Sequence, residues 1–225
     1  PGQIEPHMHM VRQGLTKHFT LDSPATTDGS CLFSSVTINL RRLIDTGMTY
    51  DNKYLDHNNL RRLVCDTCET NKTTREEFKE LIIATEGALR QSRPLTEIEA
   101  DKYVTEWTKS MRMQGTYGDE HAARIISQIL TVRLVFFKSS HTMIQPETVN
   151  WREEDGTQKL DIYIFNIDTK HFEPLKAING ALTYENALKK DTTNLTCNKL
   201  APSVETLTAK VDTQSKINKH INKET

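Results

Sequence analysis

The sequence predicts a globular protein whose helices come first along the chain and whose strands follow. Apolar residues recur every three or four positions in several segments between residues 31 and 130, the spacing of amphipathic helices. From residue 132 onward the pattern changes to the alternation typical of strands. The chain has 225 residues, of which 36% are hydrophobic, so it can bury a substantial core. We therefore expect one domain with an extension, or two small domains.

Five segments carry the helical pattern, and local signals mark their boundaries. The first helix is expected to end at Thr46-Gly47, and the third at Arg93-Pro94, because the residue before a proline disfavours helical backbone. Thr96 and Glu99 form the sequence signature of a capping box at the start of the fourth helix. The five helices are expected to begin near Cys31, Asn58, Thr74, Thr96 and Asp119.

Four extended segments follow the helices. The sequence predicts strands over residues 132–137, 142–144, 160–167 and 171–175. Gly156 lies in a charged loop that we interpret as a turn between two of these strands. Pro174 indicates that the last strand is short or lies at the edge of a sheet.

The two ends of the chain differ from its centre. Residues 1–25 are expected to be weakly structured, with 1–18 as a flexible N-terminus and 19–180 as the main domain. Residues 181–225 are interpreted as a C-terminal extension that is partly helical, because an imperfect apolar stripe begins near Ser203. A helix docked on the core, or a partly ordered tail, is favoured there over a helix that binds a partner.

Composition excludes several classes of function. The net charge is -1, so no broad basic surface is expected and nucleic acid is not an expected partner. No apolar run is long enough for a membrane span, and no secretory signal pattern opens the chain. Four cysteines in a chain of this length do not indicate a disulfide scaffold, so we expect a reducing, cytoplasmic compartment.

Cys31 is the first candidate catalytic residue. It follows Asp28-Gly29-Ser30 and stands at or near the predicted start of a helix, where free N–H groups and the helix dipole favour a thiolate near neutral pH. Gly29 allows a tight loop whose N–H groups can converge on a developing oxyanion. The alternative is an ordinary buried cysteine in an amphipathic helix.

His171 is the second candidate, 140 positions after Cys31. A fold that brings a helix start and this strand together would pair the imidazole with the thiol, as in cysteine acyl-transfer enzymes. Glu173 projects to the same side of an extended segment as His171 and could hold the second ring nitrogen. The alternative is a surface histidine in a hairpin.

Other cysteine and histidine residues are expected to be structural. Cys65 and Cys68 form a lone Cys-x-x-Cys without the second ligand pair that a structural zinc site needs, so ordinary helix packing is favoured. His121 is interpreted as a hydrogen-bonded structural residue. No metal site and no cofactor are expected.

Three segments in consistent order resemble the ovarian-tumour (OTU) family of cysteine proteases. Residues 28–33, Asp-Gly-Ser-Cys-Leu-Phe, resemble that family's nucleophile motif, Asp-Gly-x-Cys-Leu-Phe/Tyr. Residues 118–123, with the apolar helix and strand that follow, are similar to its middle segment. Residues 171–173, His-Phe-Glu, resemble its closing motif, commonly His-Tyr/Phe/Trp-Asp/Asn. The resemblance covers about residues 19–175.

The resemblance implies an α+β, papain-like OTU domain with a central, mostly antiparallel sheet flanked by helices. It further implies a deubiquitinase that hydrolyses isopeptide bonds after the C-terminal glycine of ubiquitin or a ubiquitin-like modifier, with ubiquitin or polyubiquitin chains as partners. Cys31 would be the nucleophile and His171 the base. Asp28, Gly29, Ser30 and Cys31 would form the oxyanion hole, with Asp28 bracing the loop or the histidine.

Departures from the family pattern leave alternatives open. Glu173 stands where Asp or Asn is usual, so the third catalytic role could fall to Asp28 or, less favourably, to Asp168. Thr116-Tyr117-Gly118 replaces a common Trp-Gly-Gly. This divergence suggests a viral or intracellular bacterial protein that acts in the host cytosol. The other functions considered are a papain-type peptidase and an OTU-like module that binds ubiquitin without cleaving it.

Overall fold

A four-stranded sheet forms the centre of the protein, and most of the helices pack on one of its faces. The computed structural model describes residues 6–90, 95–149, 160–168, 170–180 and 183–185. The helices are α1 (Pro6–Gln13), α2 (Cys31–Asp45), α3 (His57–Thr70), α4 (Lys72–Arg90), α5 (Glu97–Met111) and α6 (Glu120–Leu130). The strands are β1 (Phe19–Thr20), β2 (Val132–Lys138), β3 (Pro146–Val149), β4 (Leu160–Ile167), β5 (His171–Pro174) and β6 (Lys176–Ala177).

The central sheet has the strand order β3-β2-β4-β5. The outer pairs, β2 with β3 and β4 with β5, are antiparallel, whereas β2 and β4 are parallel. A separate two-stranded sheet joins β1 to β6. The expected α+β fold with a mostly antiparallel sheet is confirmed.

Both faces of the central sheet are buried, which explains the continuous apolar runs in β2 and β4. Alternate residues such as Leu134 and Phe136 face the main core, which they share with α2 to α6. Val135 and Phe137 face a second core on the opposite side. The site therefore lies on a sheet that is held from both sides.

The predicted helix boundaries agree with the structure where local signals are strong. Thr96 and Glu99 form the capping box at the start of α5. The Asp119 carboxylate accepts a hydrogen bond from the Ala122 amide and caps α6, as its sequence position predicts. Asp56 rather than Asn58 marks the start of α3, since its carboxylate accepts from the Asn59 amide.

The expectation of weak structure at the N-terminus is wrong for residues 6–13, which form α1. Met10, Leu15 and Phe19 are buried in the second core. Gln13 donates hydrogen bonds to the carbonyls of Lys138 and His141, at 2.6 and 2.7 Å, and so fixes α1 to the end of β2. These partners lie more than 120 residues away in sequence, so a local pattern could not reveal them.

The strand expected at residues 142–144 is also misplaced. That segment lies in the connection after β2, where Met143 is exposed, and the strand that pairs with β2 begins at Pro146. The predicted turn at Gly156 and the C-terminal helix after Ser203 lie outside the described residues. The domain boundaries given above remain a prediction. None of the helices in the described part of the chain has the length and apolarity to cross a membrane.

Candidate active site

Cys31 is the first residue of α2 and is fully buried. The loop before it makes a sharp turn at Gly29, whose φ of +83° is rarely adopted by other residues. A Cβ at this position would also lie 2.3 Å from the carbonyl oxygen of Gly115. Glycine is therefore required at position 29 both by the backbone conformation and by the close approach of the neighbouring loop.

The carboxylate of Asp28 stabilises the same loop from within. Its Oδ1 accepts a hydrogen bond from the backbone amide of Ser30 at 3.1 Å. This bond and a second from the Thr26 side chain lower the pKa of Asp28. Asp28 thus holds the loop, and the N–H of Ser30, one of the expected oxyanion donors, is engaged with this carboxylate.

His171 and Glu173 face each other on β5, as their alternate positions predict. The distance from His171 Nε2 to Glu173 Oε1 is 2.6 Å. The second carboxylate oxygen, Oε2, accepts a hydrogen bond from the backbone amide of Ala25 at 2.9 Å. Because both oxygens have partners, Glu173 is fixed in one orientation and in turn fixes the imidazole.

Helix α2 and strand β5 pack directly on each other, which brings the two halves of the site together. The backbone of Phe172, the residue between His171 and Glu173, lies close enough to Cys31 to lower the pKa of its thiol. One turn along α2, the Ser35 hydroxyl donates to the Phe172 carbonyl at 3.0 Å. The Phe172 carbonyl is therefore fixed to α2.

Burial raises the pKa of the Cys31 thiol, although the amides of Phe172, Leu32 and Cys31 itself act in the opposite direction. The expectation of a thiolate near neutral pH, drawn from the helix N-terminus alone, is therefore wrong for the free protein. Loss of solvation outweighs the local N–H donors. Cys31 is a thiol at neutral pH and needs a base to become a nucleophile.

Asp168 and His121, the other candidate residues, have contacts with other side chains. Asp168 accepts a hydrogen bond from the Ser139 hydroxyl at 3.0 Å in the turn after β4. His121 packs against the ring of Phe78, with centroids 4.5 Å apart, in agreement with a structural role.

The two cysteines of α3 belong to the core. Cys65 and Cys68 are both buried, and burial raises the pKa of Cys65 to about 11. Such thiols are unreactive at neutral pH, as the packing interpretation predicts. Within the described ranges no group of three or more His, Cys, Asp or Glu residues is arranged to hold a metal ion.

Three contributors to the site were not identified from the sequence: Ser35, Arg61 and the backbone amide of Ala25. Ser35 and Arg61 are both buried polar side chains within apolar helix faces. A polar residue on such a face is a weak signal of a buried hydrogen bond, but its partner cannot be read from the sequence.

Comparison with known proteins identifies the class to which this fold and site belong. The model of the OTU-like cysteine protease family matches residues 26–172, and the chain belongs to this family. The match spans the loop before Cys31 through to Phe172, the segment whose ends meet in the site. No curated protein sequence matches the chain.

Solved structures of the same family are similar in fold. An OTU deubiquitinase from Wolbachia pipientis wMel has a TM-score of 0.51 at 18% identity, over 77% of this chain and 96% of that chain. The OTU domain of OTUD1 has a TM-score of 0.48 at 13% identity, over 76% of this chain and 99% of that chain. The Hazara virus OTU bound to ubiquitin has a TM-score of 0.44 at 14% identity, over 73% of this chain and 84% of that chain.

We predict that Gly29→Ala destabilises the protein much more than Gly47→Ala. Both glycines have positive φ, so both substitutions introduce backbone strain of about 1–3 kcal/mol. Only the Cβ at position 29 meets neighbouring atoms, whereas nothing lies within 4 Å of one at position 47. Urea unfolding of the two variants measures the difference, and equal losses of stability would contradict the close approach of the two loops.

Proposed function

We propose that this protein is a deubiquitinase that hydrolyses the isopeptide bond after the C-terminal glycine of ubiquitin, with Cys31 as nucleophile. The observation that carries the proposal is the packing of α2 on β5. The Ser35 hydroxyl, one turn after Cys31, donates to the carbonyl of Phe172, which lies between the hydrogen-bonded pair His171 and Glu173. Membership of a cysteine protease family supports the reaction class. The deubiquitinase of similar fold supports ubiquitin as the modifier.

His171 acts as the general base in this scheme. With Nε2–H donated to Glu173, the imidazole presents Nδ1 as its free basic nitrogen. Since burial keeps Cys31 protonated, Nδ1 takes the thiol proton as the sulfur attacks the carbonyl carbon. The imidazolium then protonates the departing lysine amine, and a thioester between Cys31 and the ubiquitin glycine remains. Water activated by His171 hydrolyses this thioester and restores the thiol.

The tetrahedral intermediates carry an oxyanion that backbone donors of the nucleophile loop stabilise. The amide of Cys31 is at the start of α2, where helix geometry leaves N–H groups without intrahelical acceptors. Together with the amides of Asp28 and Gly29 it forms the proposed hole. The Ser30 amide contributes indirectly, because its bond to Asp28 fixes the turn.

Glu173 fills the third catalytic role, and Asp28 braces the loop. The additional methylene of glutamate lets one carboxylate reach the imidazole and the Ala25 amide at the same time. Asp28 accepts hydrogen bonds from Ser30 and Thr26, and Asp168 accepts one from the Ser139 hydroxyl. The protein is proposed to act in the cytosol, including that of a host cell, where thiols remain reduced.

We expect Cys31→Ala to abolish hydrolysis of diubiquitin and covalent labelling by ubiquitin that carries a C-terminal electrophile. The matched control is Cys65→Ala, which removes a buried thiol of the same core and should leave labelling intact. Gel shifts and intact mass measure both variants, and circular dichroism verifies their folding. Labelling of the Cys31→Ala variant at the wild-type rate would refute the assignment. A wild-type protein that binds ubiquitin but cleaves nothing would instead identify a binding module.

A second prediction concerns the third residue: Glu173→Gln should lower kcat by about 10-fold or more, and Asp28→Asn by less. A glutamine amide has one oxygen and one NH2 group, so it cannot present an acceptor oxygen at both of the positions that face His171 and Ala25. An asparagine at position 28 retains an oxygen for the Ser30 amide. Steady-state hydrolysis of a fluorogenic ubiquitin amide measures kcat for both variants. The reverse order would assign the orienting role to Asp28.

A further inference from the structure

A buried guanidinium lies directly beneath the nucleophile loop. Arg61, on α3, is 3% exposed. Its Nη2 donates to the carbonyl of Gly29 at 3.1 Å and to the hydroxyl of Ser30 at 3.3 Å. Its Nη1 donates to the carbonyl of Met111, at the end of α5, at 3.0 Å. One side chain therefore joins α3, the end of α5 and the loop that precedes Cys31.

The contacts of Arg61 and Asp28 hold one peptide group from both ends. The carbonyl of Gly29 and the N–H of Ser30 belong to the same planar peptide unit and point in opposite directions. Arg61 binds the carbonyl and the Asp28 carboxylate binds the N–H. This peptide cannot rotate without loss of both bonds. The backbone amides on either side of it, those of Gly29 and Cys31, are therefore held in fixed directions.

The environment of the Arg61 charge is also unusual, because the guanidinium donates its hydrogen bonds to neutral groups. Among the residues that the structure describes, no carboxylate forms an ion pair with it. The ring of Phe33 lies under the guanidinium at 4.5 Å. Burial lowers the pKa of Arg61, while ionised Cys65, Asp28 and Cys31 would each raise it. A buried cation without a paired anion is costly, so such a group is expected to have a compensating role.

We propose that Arg61 is a positioning residue for the hydrolysis, which fixes the Gly29–Ser30 peptide and holds a positive charge under the loop that leads to Cys31. This inference rests on the function proposed above. The fixed peptide orients the donors of the oxyanion hole before substrate arrives. The positive charge stabilises the negative charge that develops first on the Cys31 sulfur and then on the oxyanion.

The test compares Arg61→Gln, which removes the charge, with Arg61→Lys, which retains the charge but loses the two-pronged geometry. Arg112→Gln is the matched control, because Arg112 bridges α5 to Asp66 and Glu69 of α3 without contact with the loop. Two quantities are measured for each variant. The first is kcat and KM for a fluorogenic ubiquitin amide. The second is the pH midpoint of Cys31 alkylation by iodoacetamide, read by peptide mass spectrometry to separate Cys31 from the other cysteines.

We expect Arg61→Gln to lower kcat by about 10- to 100-fold with KM little changed, and to move the alkylation midpoint to higher pH. Arg61→Lys should lower kcat but keep the midpoint near that of the wild type. Arg112→Gln should match the wild type in both. A folded Arg61→Gln variant with wild-type kcat and midpoint would overturn the proposal. If Arg61→Gln does not fold, Arg61→Lys decides: a lowered kcat in a folded protein supports the proposal, and a wild-type kcat overturns it.

The two proposals fail in different ways. A wild-type protein without activity on ubiquitin substrates would refute the proposed function. The alkylation midpoint needs no ubiquitin and would still report whether Arg61 stabilises the Cys31 thiolate. The geometric part of the proposal can fail separately. It would be contradicted if Arg61→Lys kept full kcat while Arg61→Gln lost kcat without any shift of the alkylation midpoint.

Discussion

The packing of β5 against the first turns of α2 is the constraint on which the site depends. The Ser35 hydroxyl of α2 donates to the carbonyl of Phe172 on β5 at 3.0 Å. Farther along the helix, the side chain of Asn39 donates to the carbonyl of Tyr163 on β4 at 3.0 Å. These buried bonds fix how far the strand can slide along the helix, and a slip of one residue would turn His171 to the opposite face.

The electrostatics of the site follow from its burial. Cys31 is buried, and burial raises the pKa of its thiol, so in the proposed mechanism the negative charge appears on the sulfur only during the reaction. In such an environment fixed dipoles and charges act more strongly than they would in water. In the proposed mechanism the amides at the start of α2 and the imidazole held by Glu173 stabilise that charge, and the buried guanidinium of Arg61 lies under the loop that leads to Cys31.

Local sequence signals predicted the parts of the fold that depend on local interactions. The capping box at Thr96, the cap at Asp119 and the strands β2 and β4 follow from side chains within a few residues of one another. The resemblance in three short motifs predicted the family. Contacts across long sequence separations were not predictable: α1 is held by bonds to the end of β2, and Arg61 reaches Gly29 across 32 residues. From the sequence alone, Arg61, which follows Leu60 in a helical pattern, cannot be distinguished from a solvent-exposed arginine.

A crystal structure of the protein after reaction with ubiquitin that carries a C-terminal electrophile would test the proposed mechanism most directly. We expect a covalent bond from Cys31 Sγ to the ubiquitin terminus, with His171 Nδ1 facing the sulfur and Nε2 still hydrogen-bonded to Glu173. Attachment at another cysteine, or an imidazole turned away from Cys31 in the adduct, would contradict the mechanism.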